Sequence, residues 1–121
     1  MKDKVQQKLF LWILIVYVVV LMIGAVITIP KGVVTGNTDK YMHFLEFFGL
    51  SLIIVKTLQV FRAKLPYIMG FVVSCIIGLL SEIVQLATIT RTFSVYDLLA
   101  DLIGIIVGLV FFRLVVSKWK F

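Results

Sequence analysis

The chain has 121 residues, 62% of them hydrophobic and only 15% charged, with a mean hydropathy of +1.16. Soluble domains run near half apolar and a quarter charged, and disordered chains combine low hydrophobicity with high charge, so both classes are excluded. A single cysteine, Cys75, excludes a disulfide scaffold and a multi-cysteine metal site, and the net charge of +6 is spread unevenly.

Leu9 to Ile29 is a run of 21 residues without a charge. As a helix it would extend roughly 31 Å, about one bilayer core. Pro30, Lys31 and Gly32 end it. It is too long for a signal-peptide apolar region, and no small-residue cleavage site follows. A second run, about Tyr41 to Val60, carries His43, Glu46 and Lys56. A third, Leu65 to about Ile89, carries Glu82 as its one charge, and a fourth, Ser94 to Val116, carries the acids Asp97 and Asp101. None alternates with period two, and all exceed strand length. The reading is an all-α membrane protein with transmembrane helices at about 9–29, 41–60, 65–89 and 94–116. Short connectors force antiparallel neighbours, which predicts a compact antiparallel bundle in one domain, 1–121.

Basic residues set the orientation. Lys2, Lys4 and Lys8, then Lys56, Arg62 and Lys64, then Arg113, Lys118 and Lys120 give nine on one side; Lys31, Lys40 and Arg91 give three on the other. Nine against three predicts both termini in the cytoplasm. The basic tails suffice as topology signal and lipid-headgroup contact, and no nucleic-acid partner is implied.

In that orientation Asp39, Glu46, Glu82, Asp97 and Asp101 all fall in the outer half of the bundle. At 100° per residue, Asp39, His43 and Glu46 lie within about 60° on the second helix. Gly78, Glu82 and Gln85 share a face of the third. Asp97, Asp101, Gly104 and Gly108 share a narrow face of the fourth, and the two glycines form a G-x-x-x-G that admits a neighbouring backbone. Ionised groups facing lipid cost several kcal/mol, so these stripes are expected to face inward. Local explanations exist for some of them. Ser94 to Asp97 reads as a capping box, Asp39 suits a helix amino end, Arg91 can mark a membrane boundary, and Gln85 can bond between helices. Glu82 and Asp101 lie near mid-membrane, where no cap explains them. His43 among several carboxylates suits general acid–base work or cation binding. The H-x-x-E spacing on one helix is weak as a metal signal, and no metal or other cofactor is assigned.

The motifs resemble a known family. Asp39-Lys40-Tyr41-Met42-His43-Phe44 resembles the D-K-x-x-H-F of VanZ-like proteins, and Glu82 with Gln85 resembles their E-x-x-Q. The segment from Arg91 through Ser94, Asp97 and Asp101 to Gly104 resembles their R-x-x-S-x-x-D-x-x-x-N-x-x-G, departing at Asp101, where the family usually has Asn. The resemblance covers about residues 37–108. It implies a small bacterial plasma-membrane protein, of a family named after a factor that lowers susceptibility to the lipoglycopeptide teicoplanin. The family's polar positions fall here on Asp39, Lys40, His43, Glu82, Gln85, Arg91, Ser94 and Asp97; helical geometry adds Glu46.

Three readings stay open. In the first, His43, Glu82, Arg91 and Asp97 are catalytic residues of an outward-facing enzyme acting on a lipid or peptidoglycan precursor, and Asp39, Lys40, Glu46, Gln85, Ser94 and Asp101 bind its substrate. In the second, the same pocket binds a lipid or a lipoglycopeptide without turnover. In the third, a structural or partner subunit uses the polar cluster only to fasten its helices. The bilayer is the partner common to all three, and the sequence leaves oligomeric state undefined.

Overall fold

A computed structural model describes residues 2–26, 36–86 and 95–118. They form four α-helices: α1 (Lys2–Val26), α2 (Gly36–Val60), α3 (Pro66–Leu86) and α4 (Val95–Leu114). A 3₁₀ turn, Val116–Lys118, follows, and there is no strand among the described residues. Each helix contains a stretch long and apolar enough to cross a membrane: Asp3–Gly24, Tyr41–Val60, Pro66–Val84 and, continuing through the 3₁₀ turn, Val95–Lys118.

The first helix begins well before the apolar run that predicts it. Its lead-in of Lys, Gln and Lys residues has good helix propensity, and Asp3 in the first turn complements the helix dipole. The lead-in also docks. Gln7 Nε2 donates to the Val60 carbonyl oxygen at 3.2 Å, serving a carbonyl that the end of α2 leaves open, and Arg62 pairs with Asp3 at 2.6 Å.

At the end of α2 the Arg62 amide bonds the Gln59 carbonyl and the Ala63 amide bonds the Leu58 carbonyl, both at 2.9 Å. This is a Schellman stop, with Arg62 at a φ of 62° in the position that glycine usually fills. Four residues later Pro66 opens α3, its missing amide hydrogen harmless in a first turn.

Contacts fix how the helices lie. Tyr17 reaches Glu46 and Gly49 while Gln7 reaches Val60, so numbering falls along α1 as it rises along α2. Phe47 lies by Gly78 and Val55 by Gly70, which gives α3 the opposite sense to α2. On α2 and α4, by contrast, His43 meets Asp101, Phe44 meets Gly104 and Ser51 meets Gly108. Numbers rise together, so α2 and α4 run the same way, and they form the most extensive helix contact. A Cβ at Gly104 would collide with the Phe44 carbonyl oxygen, and one at Gly108 with Ser51. The absence of side chains there is what permits the approach.

Burial is inverted relative to a soluble protein. The apolar core is small, built on Leu21, Phe47, Leu50, Ile54 and Ile105. Valines and isoleucines such as Val16, Val20, Ile76 and Ile106 are exposed, while His43, Ser74, Glu82 and Asp101 are buried. Buried hydroxyls mostly bond their own helix: Ser51 to Phe48 O, Thr57 to Ile53 O and Ser81 to Gly78 O, at 2.7–2.8 Å.

Candidate functional site

Three helices each bring acid or imidazole groups to one place. Helix α2 supplies His43, α3 supplies Glu82 one turn beyond Gly78, and α4 supplies Asp97 in its first turn and Asp101 one turn later. A donor atom from each of His43, Glu82 and Asp97 lies within 4.8 Å of the other two. Relative exposures are 5% for His43, 0% for Glu82, 9% for Asp97 and 2% for Asp101. The Nδ1 of His43 is 2.9 Å from Oδ1 of Asp101, which ties the imidazole to a carboxylate across the α2–α4 contact.

The local sequence explains why four polar groups fit in so little space. Gly78 of α3 presents no side chain; a Cβ there would sit 3.3 Å from the Phe47 ring and 3.6 Å from Asp101 Oδ2. Gly104, one turn below Asp101, lets α4 close on Phe44 and Phe48. Phe44 and Phe48 stack with centroids 6.2 Å apart, and Phe48 packs against Phe111 at 5.4 Å. Past His43 and Asp101, the contact between α2 and α4 is therefore aromatic.

A groove of about 240 Å³ runs between α3 and α4, lined by Cys75, Gly78, Leu79, Leu98, Asp101 and Leu102 among others. All but one of these named residues are apolar, and the exception is a carboxylate of the cluster. Leu79 and Leu102 are exposed at its sides. The groove thus joins the hydrocarbon-like outer surface to a buried acid. Cys75, half-buried as a free thiol, only contributes to the wall.

The remaining sequence-derived site residues are distributed differently. Glu46 is half-buried and lies outside the three-residue group; the Tyr17 hydroxyl of α1 donates to its backbone carbonyl. Asp39 and Lys40 occupy the first two turns of α2 and Gln85 the last turn of α3, but their side chains lie outside the described residues. Arg91 and Ser94 lie wholly outside them, and with Ser94 the reciprocal cap to Asp97. Two features escaped sequence reasoning. One is the α3–α4 groove. The other is Ser74, fully buried with no hydrogen-bond partner for its hydroxyl among the described residues. The spacing Gly70, Ser74, Gly78 on α3 is a small-residue ladder that could have signalled this close-packed face.

No family model matches this chain, and no solved structure matches it. The chain is 30% identical over 92 residues to an uncharacterised protein of Schizosaccharomyces pombe, an alignment covering 76% of this chain and 57% of that protein. The chain thus spans little more than half the length of this fungal relative.

Proposed function

We propose that this chain is a VanZ-like integral membrane protein. Its four helices cross the bilayer as an antiparallel bundle with both termini cytoplasmic, and its outer polar pocket binds or modifies an amphiphile of the cell envelope. The observation that carries this reading is the buried convergence of His43, Glu82 and Asp97, next to an apolar groove open to the side that Asp101, the hydrogen-bond partner of His43, helps to line. An amphiphile fits that shape: hydrocarbon against Cys75, Leu79 and Leu102, polar head at the acids and imidazole. A carboxylate holding one nitrogen of His43 fixes the ring and leaves the other nitrogen for the ligand. Glu82 and Asp97 then serve as proton donor or acceptor; the motif resemblance adds Asp39, Lys40, Gln85, Arg91 and Ser94 as ligand-binding candidates, and helical spacing adds Glu46. Assignment to the bacterial plasma membrane and to lowered teicoplanin susceptibility rests on the motif resemblance; the S. pombe relative is fungal.

A second reading, in which the cluster only fastens helices, draws on the His43–Asp101 hydrogen bond and the Gly104 and Gly108 contacts. The variant Glu82→Gln separates the two. Expressed in a teicoplanin-sensitive bacterium, it loses the protective effect at normal membrane abundance if the pocket acts on or binds a ligand. Retained protection, together with collapse of Gly104→Leu, selects the fastening role, because interhelical hydrogen bonds average about 0.6 kcal/mol.

A further inference from the structure

We infer that His43, Glu82 and Asp97 form a binding site for one divalent first-row transition-metal ion, with Asp101 positioning the histidine. This goes beyond the proposed function, because the ion site does not depend on which organic ligand, if any, the groove takes.

The geometry is close to ligating. Donor atoms sharing an ion at about 2.1 Å each lie at most about 4.2 Å apart, and the three donors already lie within 4.8 Å. Small rotamer adjustments close the remainder. The three come from three different helices, so an ion at their centre would tie α2, α3 and α4 together. Asp101 Oδ1 at 2.9 Å from His43 Nδ1 matches the carboxylate–histidine arrangement that fixes tautomer and ring orientation in metal sites, and it assigns Nε2 as the ligand nitrogen.

Charge points the same way. Bringing two carboxylates together in a buried site favours an added positive charge, and Glu82 and Asp97 sit together at 0% and 9% exposure. With a neutral imidazole, a divalent ion offsets the two ligating carboxylates and takes the cluster, Asp101 included, from three negative charges to one. One imidazole with two carboxylate oxygens is a mixed donor set that suits Zn²⁺, Fe²⁺, Co²⁺ or Mn²⁺, whereas Ca²⁺ and Mg²⁺ favour oxygen alone. Three protein ligands leave coordination positions open to water or an oxygen-bearing ligand. The α3–α4 groove is lined in part by Asp101, the hydrogen-bond partner of His43, and offers a route toward the cluster.

The test uses full-length protein in detergent, purified through a tag without histidine, stripped with chelator and titrated with Co²⁺ and Mn²⁺. Wild type should bind one ion per chain, with Co²⁺ giving visible ligand-field bands. Glu82→Gln and His43→Ala should weaken binding at least 100-fold. Asp101→Asn should weaken it about 10- to 100-fold with little change in band position, as expected for a residue that acts through the histidine. Should a variant fail to fold, wild type alone decides. The chain has one histidine, so ¹⁵N-histidine labelling must alter the nitrogen couplings in the pulsed EPR spectrum of bound Mn²⁺. Absence of that coupling, equal affinity in folded Glu82→Gln, or no retention at tens of micromolar Co²⁺ each overturns the site. The last outcome means that protons or a cationic side chain neutralise the acids. Because none of these readouts uses teicoplanin, loss of the metal site and loss of the amphiphile reading are distinguishable.

Discussion

Nδ1 of His43 on α2 stands 2.9 Å from Oδ1 of Asp101 on α4, with both side chains withdrawn from the surface. The contact has two consequences. It pins the register of the two helices that run side by side in the same direction, and it holds the imidazole beside Glu82 and Asp97, with a ring nitrogen within 4.8 Å of a carboxylate oxygen of each. A hydrogen bond between helices is nevertheless modest, averaging about 0.6 kcal/mol in bilayers. The approach of backbones at Gly104 and Gly108, one and two turns below, is the larger determinant of how closely α2 and α4 lie.

That ranking predicts the behaviour of the glycines. Gly104→Ala puts a methyl group into the Phe44 carbonyl oxygen, where neither backbone can yield locally. Overpacking of this kind costs about 1–3 kcal/mol, and the melting temperature in detergent should fall accordingly. Gly24→Ala is the control: a Cβ there meets nothing within 4 Å, and alanine favours the helix, so its melting temperature should equal or slightly exceed that of wild type. Equal melting temperatures for Gly104→Ala and Gly24→Ala would remove the close-packing account.

The stop after α2 makes a second prediction. Arg62 holds a left-handed conformation that costs a non-glycine residue about 1–2 kcal/mol. Its ion pair with Asp3 returns little, since both side chains are largely exposed and such pairs are worth about 0–1 kcal/mol. Glycine relieves the conformation but gives back about 0.5–1 kcal/mol of chain entropy. Arg62→Gly should therefore be neutral to slightly stabilising. Arg62→Val, β-branched in the same conformation, should lower the melting temperature clearly. Thermal unfolding of the two variants side by side is the check, and a Gly variant less stable than the Val variant would refute it.

Much of the architecture was legible because membrane-length apolar runs are a strong signal: each of the four runs corresponds to a helix. The start of α1 was not, since Lys2 to Lys8 extends the helix by propensity and docking rather than by apolarity. Helical spacing likewise put Asp97, Asp101, Gly104 and Gly108 on one face, and all four are buried. Spacing alone did not show that Glu46 lies outside the three-residue group of His43, Glu82 and Asp97, or that Tyr17 of α1 donates to its backbone carbonyl, because both depend on how the helices pack. The groove was invisible from any single helix. It exists only where Cys75 and Gly78 of α3 stand opposite Leu98 and Leu102 of α4.

The nine-to-three asymmetry of basic residues leads to a topological prediction. Reporter fusions at Phe121 should read as cytoplasmic, and fusions within residues 32–38, the connector and the start of α2, as extracytoplasmic. Because His43, Glu82 and Asp97 lie at the same end of their helices as that connector, an extracytoplasmic reading at Phe121 would turn the cluster to the opposite side and withdraw the outward-facing pocket.

The groove gives the most direct test of an amphiphilic ligand. Leu102 lines it and is exposed at its side. Replacement by a larger aromatic ring fills the channel without touching His43, Glu82 or Asp97, and the exposed position can accept the bulk at little cost in packing. If the proposed function holds, Leu102→Trp should therefore leave membrane abundance and melting temperature near wild type while abolishing the teicoplanin protection that reading assigns. Ile106→Trp, one turn further along α4 on an exposed position outside the groove lining, should keep that phenotype. If both variants protect as well as wild type, hydrocarbon does not need the α3–α4 groove, and the cluster must be reached by another path. If both fail equally while folded, bulk on the outer face of α4 matters in itself, which would indicate a helix partner on that face rather than a ligand in the groove.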